Sequence, residues 1–259
     1  MQFWSGVVRM AAILFVVTIG PVLAQQSPEP VAVLRHNLTL PATGHDVAVT
    51  LFSPGGRPGR PAVMILPGVQ GLEPYRRFYE GFAETVARAG FDTYLVEYYS
   101  DTEKAEVAGL PADGRRARFR ERAAGWCALI AGVAGDVRMD GPVSRPVALV
   151  GFSQGGFLAA GTAAMDDRVR ALVVFYGGIP GVLRDRMTRL PPLLELHGDA
   201  DTVVPLADGR ALVDLAKALG QEAEMVVYPG AGHGFDGDTA LDAGKRTVDF
   251  LTRRLTGHP

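Results

Sequence analysis

The chain has 259 residues, 47% of them hydrophobic and 21% charged, with 26 basic residues against 28 acidic ones. That balance belongs to a globular protein with a substantial core and excludes a disordered, fibrous or membrane-embedded chain. A slightly acidic surface with no block of Lys or Arg leaves no electrostatic footprint for nucleic acid or anionic lipid.

Taken in order, Arg9 precedes an apolar run from Met10 to Leu23 that ends in small residues before Gln25. A basic flank, a short apolar centre and small residues at the cut predict a secretory signal peptide over residues 1–24, cleaved after Ala24. The rival is an uncleaved membrane anchor, for which the run is short. The expected location is therefore periplasmic or secreted, with residues 25–259 as one mature domain that does not touch the membrane. Cys127 is the only cysteine, so no intramolecular disulfide forms, and its helical setting predicts a packing role.

VAVLRHNLTL and HDVAVTLFSP alternate like strands around PATG and read as an antiparallel hairpin at a sheet edge. PAVMILPG and FDTYLVEYY are continuous apolar runs of doubly covered strands, with the helical FYEGFAETVARAG between them. Residues 100–114 are polar and aperiodic and read as a loop before a helix from Arg115 to about Gly135. VALVGF, RALVVFYGG, PPLLELHGD and AEMVVYPG follow as strands, with helices after the first and third, and a helix over Thr239–Leu255 closes the chain. Strands alternating with helices predict one α/β domain, with a mostly parallel sheet of about eight strands covered on both faces. Ligands of such sheets bind beyond the carboxyl ends of the strands.

The motifs fall there. GFSQG joins a strand to an Ala-rich helix with Ser153 at the apex, the pattern of a nucleophile elbow. LHGDADTVVP offers Asp199 and Asp201, and YPGAGHGF offers His233. A serine hydroxyl is a weak nucleophile that needs a base, and the base needs a carboxylate to orient its imidazole. Ser153, an aspartate and His233 stand in the chain order of an α/β-hydrolase. Asp201 is favoured over Asp199, which follows the strand immediately and suits a turn. His197 reads as structural. Oxyanion donors are expected from the amides of Gln154 and of Val69 in LPGVQGL. Tyr98, Tyr99, Tyr176 and Phe235 stand at strand or loop ends, where they could line a substrate pocket or simply pack. His36, His45, His197, His233 and His258 show no paired ligand spacing, so no metal site is expected.

These four motifs, in this order and at these separations, resemble the dienelactone hydrolase family. The resemblance implies an α/β-hydrolase fold and a hydrolase of esters or lactones that needs no cofactor. It maps the nucleophile to Ser153, the acid to Asp201, the base to His233 and the oxyanion donors to Val69 and Gln154. Two departures stand out: lactone-cleaving members carry a cysteine at the elbow and a glutamate where this chain has Gly68. Their substrate-holding arginines are also missing from VEYYSD. The connector from Tyr176 to Pro192 is too short for a large lid.

The expected protein is thus an exported serine esterase acting on a small ester or lactone, with a monomer favoured. The alternatives are a peptidase using the same triad and an inactive binding protein that kept the fold.

Overall fold

A computed structural model describes residues 31–56, 58–140 and 142–257. The expected signal peptide lies outside them. Residues 31–259 cluster as one compact unit.

Strands β1 (Leu34–Leu40) and β2 (Val47–Ser53) form the expected hairpin, pairing antiparallel from Leu34 with Ser53 to Leu40 with Val47. β3 (Ala62–Leu66), α1 (Arg76–Arg88) and β4 (Asp92–Glu97) begin the parallel part. Two helices follow, α2 (Asp101–Gly109) and α3 (Ala112–Val137). A short ribbon pairs β5 (Met139–Asp140) with β6 (Val143–Ser144). Then come β7 (Val147–Phe152), α4 (Gln154–Met165) and β8 (Val169–Phe175), followed by β9 (Leu193–Gly198), α5 (Leu206–Ala218), β10 (Ala223–Tyr228) and α6 (Gly237–Leu255).

The polar segment after Ser100 is a helix and not the expected loop. Ser100 accepts a hydrogen bond from the Glu103 amide, and Glu103 reaches back to the Ser100 amide, a reciprocal capping box that starts α2. The pattern Ser-x-x-Glu was present in the sequence. The missing apolar stripe hid it, because α2 buries only Glu103 and Val107.

Eight strands make the main sheet in the order β1-β2-β4-β3-β7-β8-β9-β10. β2 is antiparallel to both neighbours, and every pair from β4 to β10 is parallel. Alternation along the strands divides the core in two. Met64, Leu66, Val147 and Leu149 pack with Trp126 and Leu158 on one face. Val63, Ile65, Val150 and Phe152 pack with Val86 and Phe250 on the other. The chain passes from β3 to β4 on one side and then to β7 on the other side of β3. The loops after β3 and β7 therefore diverge at a topological switch point, where a ligand crevice opens. Between β8 and β9 there is only a 3-10 turn, Gly181–Arg186, and no lid among the described residues.

Candidate active site

Ser153 stands at the end of β7 with φ 54° and ψ −120°, a backbone state that L residues rarely adopt outside constrained sites. The turn closes through the Ser153 carbonyl, which accepts from Gly156 N at 2.8 Å, while the Ser153 amide donates to the Phe175 carbonyl at the end of β8 at 2.9 Å. Glycines permit it. A Cβ at Gly151 would lie 2.2 Å from the Gly155 carbonyl oxygen, and one at Gly155 would lie 2.3 Å from that of Leu66. The first turn of α4 is thus pressed against the end of β3.

Ser153 Oγ lies 2.9 Å from His233 Nε2, and His233 Nδ1 lies 2.8 Å from Asp201 Oδ2. With Nδ1 donating to the carboxylate, Nε2 presents its lone pair to the serine hydroxyl. The Asp201 side chain is fully buried, and its other oxygen accepts from the amides of Val203 at 2.8 Å and Val204 at 2.9 Å. Three N–H donors balance the cost of burying it. Asp199 points elsewhere and accepts from the Gly230 amide at 2.6 Å. Of the two candidate aspartates, the geometry brings Asp201 to the histidine.

Val69 and Gln154 flank the serine from the loop after β3 and from the first turn of α4. The peptide joining Gly68 to Val69 is held from several sides. Its carbonyl accepts from Gly71 N at 2.9 Å, which turns its N–H the opposite way. The Gly68 amide donates to the Tyr79 hydroxyl at 3.0 Å. The peptides before and after are pinned through their carbonyls, Pro67 O by Tyr98 at 3.1 Å and Val69 O by Tyr99 at 3.3 Å. Among the described residues neither the Val69 nor the Gln154 amide meets a protein acceptor.

Tyr98 and Tyr99, which by sequence could line a pocket or simply pack, brace this loop through these bonds. Tyr98 is 0% exposed and Tyr99 4%. Both hydroxyls receive the Gln154 side-chain amide, at 3.2 Å and 2.6 Å. Burial pushes the Tyr99 hydroxyl up to about 12, so it remains a neutral donor. Tyr176 packs against His233 and Phe235. The Tyr176 ring centroid is 4.8 Å from that of His233 and 5.1 Å from that of Phe235. A cavity of about 550 Å³ bounded by residues 229–236 and Thr239 opens beside them. Tyr79 was missed in the sequence, where it reads only as one more apolar position of α1.

A doubly covered, mostly parallel sheet with a serine on a strained strand-to-helix turn and a histidine and aspartate from later loops defines an α/β-hydrolase. Residues 47–249 match the Dienelactone hydrolase family, and the chain belongs to that family. Several curated relatives carry the name "Putative carboxymethylenebutenolidase". The one from Yersinia pestis is 29% identical over 127 residues, 42% of this chain and 48% of that protein, so this match spans about half the relative's length. The one from Salmonella typhimurium is 24% identical over 236 residues, 83% of this chain and 86% of that protein. Among solved structures, a dienelactone hydrolase from Anabaena variabilis superposes with a TM-score of 0.69 at 21% identity, covering 86% of this chain and 99% of that one.

Proposed function

We propose that this family member is an exported serine esterase that cleaves carboxylic esters or lactones through an acyl-enzyme. Membership of the family makes it a hydrolase of ester bonds. What is proposed is the nucleophile, the machinery and the location. The reading rests on the unbroken run of hydrogen bonds from Ser153 through His233 to Asp201.

In this mechanism His233 Nε2 takes the proton of Ser153 as Oγ attacks the ester carbonyl. The developing oxyanion is received by the Val69 and Gln154 amides, and the imidazolium is stabilised by Asp201. His233 then gives the proton to the leaving alcohol. Water repeats the sequence on the acyl-enzyme and frees the acid. Gly68 supports a serine route without a neighbouring glutamate. A Cβ there would lie 3.5 Å from Ser153 Cβ, so the position faces the nucleophile and this chain puts no carboxylate on it. Export rests on residues 1–24 of the sequence alone.

Short p-nitrophenyl esters and a fluorophosphonate probe test the reading. Wild type is expected to turn over the esters and to be labelled at Ser153, and Ser153→Ala is expected to fold and do neither. A wild type inert to both sinks it. Turnover of peptides in preference to esters in a parallel panel would move the enzyme to the peptidase class.

A further inference from the structure

Strand β9 carries two ionisable side chains, Glu195 and His197, in an otherwise apolar sequence, LLELHG. Both are fully buried. Two residues apart, they share one face of the sheet, and His197 Nδ1 lies 2.9 Å from Glu195 Oε1. Helix α5 is shaped around them, because a Cβ at Gly209 would sit 2.7 Å from both of those atoms. A glycine inside a helix weakens it, and a buried ionisable pair offers little stability over a packed apolar one. Stability alone does not account for the arrangement.

The pair's other contacts do. His197 Nε2 lies 3.0 Å from the Val204 carbonyl oxygen. A carbonyl only accepts, so Nε2 carries a hydrogen. Nδ1 then either donates to a Glu195 carboxylate or accepts from a Glu195 carboxyl, and the pair is neutral overall in both arrangements. Burial pushes Glu195 up to about 7 against the pull of the His197 hydrogen bond. Burial alone would lower His197, but the bonds to Glu195 and Val204 outweigh it and leave the ring raised. Both directions favour keeping the shared proton on the pair.

Val204 is thereby held at both ends. Its amide donates to Asp201 Oδ1, and its carbonyl accepts from His197. His197 Nε2 also stands 3.6 Å from Asp201 Oδ2, the oxygen that faces His233. Glu195 and Asp201 are the charged groups acting on the ring, and α5 meets it with Gly209.

We propose that Glu195 and His197 are positioning residues for the acid of the triad: His197 anchors the loop through the Val204 carbonyl so that Asp201 Oδ2 faces His233, and Glu195 holds the His197 ring. The proposal rests on the serine-esterase reading above. It concerns how the acid is held and moves no proton during turnover.

The test joins one measurement on the wild-type chain to three variants. Nuclear magnetic resonance of the enzyme with 15N-labelled histidine should show His197 protonated at Nε2. An unprotonated Nε2 overturns the proposal, since nothing would then hold Val204. His197→Phe and Glu195→Leu should lower kcat about ten- to a hundredfold, by analogy with the loss seen when the hydrogen-bond partners that orient metal-ligating side chains are removed. KM should stay within about twofold, as expected when ground-state binding is untouched. Glu195→Gln, which still hydrogen-bonds the ring, should recover most of the loss. A folded His197→Phe with wild-type kcat overturns the proposal, as does equal loss in Glu195→Gln and Glu195→Leu. If the variants fail to fold, the wild-type spectrum decides. Absence of wild-type turnover and of Ser153 labelling would instead remove the esterase reading, which the spectrum does not test.

Discussion

Gln154 Nε2 donates a 2.6 Å hydrogen bond to the Tyr99 hydroxyl, which in turn donates to the Val69 carbonyl at 3.3 Å. The two residues whose amides flank Ser153 are therefore strapped together by side chains as well as by the fold. Preorganised donors matter because they need no rearrangement as charge develops.

Tyr99→Phe and Gln154→Leu each cut the strap and leave the amides in the chain. Loss of a whole oxyanion donor costs about 10²–10³ in kcat, so a loosened donor should cost less, about tenfold. KM should hardly change, and the double variant should be no slower than the slower single one, because the two side chains act as one unit. Steady-state kinetics on a short ester measures this. A raised KM at constant kcat would place Tyr99 in the substrate pocket, one of the two roles its position at a strand end allows.

The two aspartates after β9 should separate cleanly. Asp201 Oδ2 meets His233 Nδ1, and Asp199 Oδ1 meets the Gly230 amide. Asp201→Asn presents an amide to the imidazole and favours the wrong tautomer, which in the serine-protease triad lowers kcat about 10⁴-fold. Asp199→Ala should keep kcat within about threefold and cost about 1 kcal/mol of stability, one exposed-turn hydrogen bond. Urea unfolding beside kinetics distinguishes the two outcomes, and comparable kcat losses would contradict the assignment.

The parallel strands were legible because doubly covered strands are continuous apolar runs, and a run such as PAVMIL admits little else. That Ser153, Asp201 and His233 come together was legible because each stands after a strand and the chemistry of a serine nucleophile restricts the residue types. Tyr98 and Tyr99 were not. An aromatic at a strand end has the same composition whether it faces a ligand or braces a loop, and the choice depends on where its hydroxyl finds an acceptor. Glu195 left a signal, a lone acid inside a buried strand, but its partner could be identified only once α5 and the Val204 turn were in place.

Cys127 should be inert in the folded protein. It is fully buried, and burial pushes its thiol up to about 12, so almost no thiolate exists at neutral pH. Iodoacetamide is expected to leave ester turnover intact and to alkylate the chain only after denaturation, as mass spectrometry would show. Rapid alkylation with loss of activity would point to a thiol route and away from Ser153.

Glu103 should be the acid-sensitive joint between α2 and α3. Its carboxylate accepts from the Ser100 amide at 3.0 Å, from Arg122 at 2.9 Å and from Trp126 Nε1 at 3.0 Å. Burial tends to raise this carboxyl, but the Ser100 amide, Arg122 and Trp126 together hold it below its ordinary value of 4.5. A lowered native value means that the unfolded chain binds the proton more readily. The contribution is therefore complete above pH 4.5 and is lost as the pH falls through the lower native value. Glu103→Gln should cost about 1–3 kcal/mol near neutral pH, the range for a buried charged acceptor left with mismatched partners. The gap from wild type should narrow as the solution is acidified. Thermal melts from pH 7 downward measure it, and a gap constant down to the acid limit of the fold would mean that Glu103 works through its shape and not its charge.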